Sequence, residues 1–204
     1  MAQIRKVETL MKRNETEKIK EAVSVLVGTP LREFSRIAST LYFRFGDIVE
    51  VNGSVLRDDS GRVMRDGEGN VLHKKHLNGM YALDILCAMR FICGNDIILA
   101  KSDIFLPIDE IYNKEDFIWD NFDWHTHGNN RFDELLAKHF CGEYDDYIVK
   151  SVKVGKFGDL TILFENDFIL EFFLDSSGES ENWRFGETNS TWSLIVTSNG
   201  IATE

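Results

Sequence analysis

The C-terminal third of the sequence is a series of short apolar segments that only a few polar residues separate. Two of the connections, GKFGD and END, are too short to contain a crossover helix. Connections of this length join antiparallel neighbours, so the pattern favours a β-meander over a parallel sheet. The predicted strands are Tyr147–Val154, Leu160–Phe164, Phe168–Leu174, a strand around Trp183–Phe185, and Trp192–Thr197.

A second strand-rich region lies in the first half. Alternation in Leu41–Val51 predicts a hairpin whose turn is Gly46-Asp47. Tyr81–Ile92 is apolar enough for one or two central strands, and Ile97–Ala100 is expected to pair back after a Gly-Asn-Asp turn. Residues 52–79 contain no continuous apolar face, which predicts a mobile polar hairpin at the periphery with GEGN at its tip.

The N-terminal region predicts helices. Apolar residues recur at helical spacing through residues 1–27, Gly28 and Pro30 end the pattern, and a short helix is expected over Leu31–Ser39. The fold class is therefore α+β, with an N-terminal helix packed on antiparallel β-meanders. We expect a single domain over 1–204, composed of a helical part (1–40), a first meander (41–101) with its insert, an acidic aromatic loop and helix (102–147) and a second meander (148–198).

The two strand-rich halves resemble each other. The first contains LYFRFGD-IVEV, a loop and AMRFI, and the second contains LTILFEND-FILEFFLD, a loop and NWRF. Each shows a strand, an acidic turn, a strand, a loop and an arginine–aromatic pair, which is the pattern of a duplicated meander. The alternative is that any two β-hairpins would show this degree of similarity.

Segment 102–147 concentrates charge and aromatic rings. It contains twelve acidic residues against Lys114, Arg131 and Lys138, with one helix expected over Arg131–Phe140. Aromatic anchors interspersed with carboxylates are typical of a surface that binds a basic protein. The candidate partner-binding residues are Asp116, Trp119, Asp120, Asp123 and Trp124. The alternative is a loop that turns its rings inward to cover the sheet.

The net charge, the apolar runs and the cysteines each disfavour particular classes of function. The formal net charge of −11 disfavours binding to phosphate backbones, so no nucleic-acid partner is expected. No apolar run approaches the length of a membrane span, and the charged N-terminus does not resemble a signal peptide. Three scattered cysteines are too few for a disulfide framework. We therefore expect a cytoplasmic protein that does not bind membranes.

Few residues suggest catalysis or a cofactor. The chain has no GxSxG, SxxK, GxGxxG or GxxxxGK[ST] motif, and no cofactor is expected. A weaker alternative is a small-molecule or metal-dependent enzyme or binder that uses carboxylates with His125 and His127, which would share a face of an extended segment. Arg90 and Arg184 lie in apolar strands, where each must pair with a carboxylate or reach solvent. Ion pairs with acids such as Asp84 or Glu171 are expected, and anion binding is the alternative.

Several motifs together resemble a family of uncharacterised bacterial domains. In that family an FG-containing hairpin is followed by an apolar strand that ends in a tryptophan–arginine pair, and a late E-x-W-R motif completes the pattern. Here the hairpin is LYFRFGD and the late motif is Glu181-Asn182-Trp183-Arg184, whereas Met89 precedes Arg90 where the family has tryptophan. The resemblance spans roughly 26–186 and implies an immunity-protein-like role, in which small acidic α+β domains neutralise bacterial toxins.

Overall fold

A computed structural model describes residues 14–140 and 144–203. Within them the fold is mixed and strand-rich, with eleven strands in two antiparallel sheets and three helices. The first helix, α1, covers residues 14–24. The other helices are α2 (Asp109–Tyr112) and α3 (Arg131–Phe140), and the strands are β1 (Leu31–Ile37), β2 (Thr40–Val55), β3 (His73–Ile85), β4 (Ala88–Cys93), β5 (Asp96–Ala100), β6 (Val149–Val154), β7 (Leu160–Phe164), β8 (Phe168–Phe173), β9 (Glu181–Glu187), β10 (Ser193–Thr197) and β11 (Gly200–Thr203).

The helical prediction for the first forty residues is correct only in part. Residues 14–24 are helical, and Ile19 and Val23 enter the core, whereas residues 1–13 lie outside the described part. The expected helix over Leu31–Ser39 is wrong, because Leu31–Ile37 is strand β1 and pairs antiparallel with β2. Leu31 and Phe34 are three residues apart, as on a helix face, yet a bulge after Leu31 lets both point inward from a strand.

The expected hairpin turn at Gly46-Asp47 is also wrong. β2 continues through this point to Val55, and its pairing with β3 shifts register between Phe45 and Ile48. Gly46 has a φ of 86°, a value that glycine adopts without strain, so the two residues form a bulge that bends one long strand.

The bulge places Gly79 of β3 against the backbone of Phe45. A Cβ at Gly79 would lie 2.7 Å from the Phe45 oxygen and 2.8 Å from its nitrogen, so backbone would have to move. Gly79→Ala should therefore lower the free energy of unfolding by about 2 kcal/mol in urea denaturation. Gly67→Ala, where a Cβ meets nothing within 4 Å, should be nearly neutral, and equal losses for the two variants would contradict this account.

The strands form two sheets that enclose one core. Sheet A has the order β1-β2-β3-β9-β10-β11 and sheet B the order β5-β4-β8-β7-β6, so each predicted meander is divided between both sheets. The chain changes sheet at Leu86-Cys87 and again between β8 and β9. Across the core, Phe34 of sheet A stacks on Phe91 of sheet B at 6.2 Å, and Phe140 of α3 packs edge-on against both rings.

The two sheets follow the same strand scheme. If β1–β5 are matched in order to β6–β10, sheet A without β11 has the strand order of sheet B read from β6 to β5. A helix precedes each set, α1 before β1 and α3 before β6. The backbone bonds that join the sets match as well, since Leu31 N donates to Tyr147 O and Val149 N donates to Thr29 O, both at 2.9 Å.

The match extends to individual cross-strand pairs. On sheet A, Asp84 lies opposite Arg184, and on sheet B Glu171 lies opposite Arg90. The neighbouring rows, buried in both sheets, are Phe43–Leu83–Phe185–Leu194 in sheet A and Ile162–Leu170–Phe91–Leu99 in sheet B. This correspondence is the arrangement that a duplicated half would produce.

Besides strand β11, two longer segments of the described chain have no counterpart in the other half. The first is the arm, residues 48–78, which extends the β2–β3 hairpin, whereas β7 and β8 are joined by a tight turn at 165–167. The second is residues 101–130, which connect β5 to α3. The corresponding strands thus form the shared scaffold, and these two segments distinguish one half from the other.

The tip of the arm contains two successive turns of the same design. Residues 56–63 (LRDDSGRV) and 64–71 (MRDGEGNV) repeat with a period of eight. In the first, Asp58 Oδ1 accepts from Ser60 N, and in the second Asp66 Oδ1 accepts from Glu68 N, each at 2.9 Å. Residues 56–70 are all exposed, as expected for a peripheral insert, but GEGN is the second of two turns and not the tip of a single hairpin.

Candidate functional site

The acidic aromatic segment is a loop whose two ends are fastened together. Pro107 forms a bridge with Asn130, Ile108 N donates to Asn129 O at 3.1 Å, and Arg131 N donates to Leu106 O at 2.8 Å. Helix α3 follows at once, with the bounds that the sequence predicted. The loop, residues 108–129, therefore leaves and rejoins the scaffold at one place.

A buried ion pair holds the second half of the loop to β1. Arg36 donates from Nε and Nη2 to the two oxygens of Asp133, both at 2.6 Å, and the side chains are only 4% and 2% exposed. Asp133 Oδ2 also accepts from Gly128 N at 2.8 Å and from Asn130 Nδ2 at 3.0 Å. Arg36 Nη2 further reaches Trp124 O at 3.4 Å, so one cation organises the loop from 124 to 133.

Sequence reasoning missed this arrangement. Arg36 and Asp133 are 97 positions apart, and no local pattern links them. Only the local part was visible in the sequence, because Asn130 lies three residues before Asp133 and caps α3 by accepting from Asp133 N at 3.0 Å.

The pKa of Asp133 reflects these contacts. Burial of the carboxyl raises its pKa, but hydrogen bonds from Arg36, His127 and Gly128 outweigh burial and lower the pKa to about 2. Asp133 is therefore a carboxylate at neutral pH and compensates the charge of Arg36.

The loop carries its own group of aromatic rings, outside the core between the sheets. Trp119 lies 6.0 Å from Tyr112, 5.3 Å from Phe117 and 6.4 Å from Phe122, measured between ring centroids. Trp119 nevertheless remains 53% exposed, and Tyr112 and Ile118 are exposed beside it. The rings thus support one another while leaving a wide apolar area open to solvent.

Exposed carboxylates accompany these rings. Between residues 109 and 124 six acidic residues are exposed, against the single basic residue Lys114. Asp116 and Asp120 flank the stretch that carries Trp119 and are both exposed. We call Tyr112, Phe117, Ile118 and Trp119, together with Asp116 and Asp120, the acidic aromatic surface.

Two of the five predicted partner-binding residues serve the loop itself. Trp124 is half-buried, packs against the core, and contacts Phe105 edge-on at 5.0 Å. Asp123 accepts from Thr126 Oγ1 at 2.7 Å and from His125 N at 3.0 Å, and these hydrogen bonds lower its pKa. The inward-turned alternative therefore describes Trp124, whereas Trp119 faces outward.

The two histidines of the metal hypothesis contact different carboxylates. His125 Nδ1 lies 3.2 Å from Asp123 Oδ1, while His127 Nδ1 lies 2.7 Å from Asp133 Oδ2. Among residues 14–140 and 144–203, no group of three or more histidine, cysteine or acidic side chains is placed to hold a metal ion. The side chain of His125 instead stacks on Trp124 at 3.6 Å.

The two strand arginines lie on the outer faces of the sheets. Arg90 Nε donates to Glu171 at 2.7 Å and its guanidinium lies over the ring of Phe173. Arg184 donates to both oxygens of Glu181 at 2.6 Å, and Asp84 instead accepts from Arg44 at 2.7 Å. The positions correspond: Arg90 bonds to Glu171 directly opposite it, and Arg184 bonds to Glu181 of its own strand.

Comparisons with models of protein families, with curated proteins and with solved structures found no match. Of the helices in the described residues, none is both long and apolar enough to cross a bilayer.

Proposed function

We propose that this chain is a non-enzymatic, cytoplasmic protein-binding module of the toxin-immunity type. It covers a basic functional surface of its partner with the acidic aromatic surface. The observation that carries the proposal is Trp119, which lies among other rings outside the core and keeps half of its surface in solvent with carboxylates on either side.

Ring exposure supports a binding role because tryptophan and tyrosine are enriched among the few residues that carry most of the binding energy at protein interfaces. Trp119, Tyr112 and Ile118 are adjacent and exposed, so a partner could bury them together. An isolated exposed ring would need no explanation, whereas a group of this size on one loop is a candidate contact site.

Charge defines the kind of partner. Six exposed acids against one lysine in residues 109–124 create a negative potential that accelerates encounter with a basic surface and repels an acidic one. A toxin domain that acts on nucleic acid carries a basic surface of this kind, which is the physical basis for the immunity assignment.

The loop is held in one conformation before a partner binds. The fastened ends of the loop and the Arg36–Asp133 ion pair hold residues 108–133 in place before any partner binds, so little ordering entropy is lost on association. We further propose that the two halves arose by duplication, and that residues 101–130, which have no counterpart, were acquired as the recognition element.

Replacing Trp119 tests the proposal. A partner retained from native-host extract on immobilised protein, and released by salt, would be identified, purified and titrated calorimetrically. Trp119→Ala should weaken binding by about 2 kcal/mol, roughly 30-fold. Trp192→Ala is the matched control, since Trp192 is 47% exposed on sheet A, away from the loop, and should bind as the wild type.

If a toxin gene lies beside the gene for this chain, co-expression of the two supplies a second measurement. Wild type and Trp192→Ala should protect cells, and Trp119→Ala combined with Asp116→Asn and Asp120→Asn should not. Full protection by the triple variant would refute a role for the acidic aromatic surface.

A further inference from the structure

The outer face of sheet A contains a cleft that sequence reasoning did not anticipate. It has a volume of about 290 Å³ and lies over strands β2, β3, β9 and β10. Its floor is one cross-strand row, Arg44–Ala82–Gly186–Ser193, whose members are adjacent in the sheet. The cleft is on a different element from the acidic aromatic surface.

The corresponding row of sheet B shows why the cleft exists. It runs Leu163–Ile169–Ile92–Ile97 across the matched strands β7, β8, β4 and β5. Sheet A thus has alanine, glycine and serine where sheet B has three isoleucines, and arginine where sheet B has leucine. The cleft therefore occupies the space that the larger side chains fill on the matched strands of sheet B.

Trp192 forms one wall of the cleft. Trp192 is 47% exposed, and its backbone oxygen approaches β9 so closely that a Cβ at Gly186 would lie 2.8 Å from it. Only glycine fits at Gly186, so the same residue that opens the floor also allows the Trp192 segment to lie beside it. The wall therefore presents an aromatic surface to anything in the cleft.

The cleft is lined by charged side chains of both signs. Arg44 Nη1 lies 2.7 Å from Asp84 Oδ1, Arg184 is paired with Glu181 of its own strand, and Glu187 is an exposed carboxylate. A molecule with adjacent positive and negative groups can lie antiparallel to the Arg44–Asp84 ion pair and match both of its charges, whereas a ligand with a single charge would also face the like charge of the pair. The ion pair presents hydrogen-bond donors and acceptors side by side, because a guanidinium has five N–H groups and a carboxylate has several lone pairs.

We propose that this cleft binds a small zwitterion of the amino-acid class. Its carboxylate pairs with Arg44, its ammonium group with Asp84 and Glu187, and its apolar side chain packs on Trp192. Ala82 and Gly186 supply the space that it occupies.

The probes are the twenty free L-amino acids, added singly to the full chain. Binding is followed by the NMR signal of the Trp192 indole N–H, assigned by its loss in Trp192→Phe. At least one amino acid should shift this signal saturably, and its N-acetyl and its amide forms should each bind at least tenfold more weakly. If no free amino acid saturates, or if the blocked forms bind equally well, the proposal is wrong.

Variants that copy residues of sheet B into sheet A locate the site. Ala82→Ile introduces the residue found at the matched position and should weaken binding at least tenfold by filling the cleft. Ile169→Val, a change in the matched row of sheet B, is the control and should bind as the wild type. Arg44→Leu should also lose binding, and this variant tests the location of the site if Ala82→Ile does not fold. Wild-type affinity in a folded Ala82→Ile or Arg44→Leu variant would overturn the assignment.

Discussion

Asp133→Asn should lower the free energy of unfolding by about 3 to 5 kcal/mol, because it leaves the guanidinium of Arg36 buried without a counter-charge. Asparagine is nearly isosteric with aspartate, so the loss reports charge and hydrogen bonding and not a cavity. Urea denaturation followed by circular dichroism measures the change. Hydrogen exchange of the Gly128 amide, which donates to Asp133 Oδ2, should accelerate in the same variant.

Asp145→Asn provides the matched control. Asp145 also pairs with an arginine, Arg32, at 3.0 Å, but its side chain is 94% exposed. The same substitution there should cost less than about 1 kcal/mol. If the two variants lost equal stability, burial of the Arg36–Asp133 pair would not be what fixes the loop.

Acid should remove the contribution of Asp133 in a defined range. Its pKa in the folded chain is about 2, below the ordinary value of 3.8, so the stabilisation is fully present above pH 4 and declines as the pH falls towards 2. The difference in unfolding free energy between wild type and Asp133→Asn should therefore shrink over this range. A difference that stayed constant from pH 5 to about 2 would show that the carboxyl is not the titrating group.

Local patterns predicted local structure well. Helix α3 has the predicted bounds because its amphipathic spacing and its asparagine cap lie within a few residues of each other. The strands from β6 to β10 lie where alternation and short spacers placed them. The arm was also open to prediction, since the eight-residue repeat of residues 56–71 is visible in the sequence and specifies two similar turns.

Features that depend on distant residues were not predictable. Nothing in the periodicity of Leu41–Val51 separates a hairpin turn from a bulge, because the difference lies in the partner strand and in Gly79. The assignment of strands to two sheets depends equally on pairings such as β3 with β9, which join strands far apart in the sequence. The position of Trp124, whose backbone oxygen accepts from Arg36, depends on the Arg36–Asp133 pair, which no local signal revealed.

Trp183→Ala should lower the free energy of unfolding by about 4 kcal/mol. Trp183 is fully buried on β9 and packs edge-on against Phe172 of β8 at 5.5 Å, so its indole joins the two sheets across the core. Its Nε1 donates to Gly158 O at 2.9 Å. Alanine would remove the ring contacts, leave a cavity, and deprive a buried carbonyl of its donor, and each of these changes destabilises the folded state.

Two further variants separate these causes. Trp183→Phe keeps a ring beside Phe172 but cannot donate to Gly158 O, so it should lose about 1 to 3 kcal/mol. Trp192→Ala, at an exposed indole, should stay within about 0.5 kcal/mol of the wild type.

The late E-x-W-R motif then has a structural role, since Trp183 fills the core while Glu181 and Arg184 pair beside it. If Trp183→Ala and Trp192→Ala had equal free energies of unfolding, the motif would not be needed for stability. A role of the motif in binding would then have to be considered again.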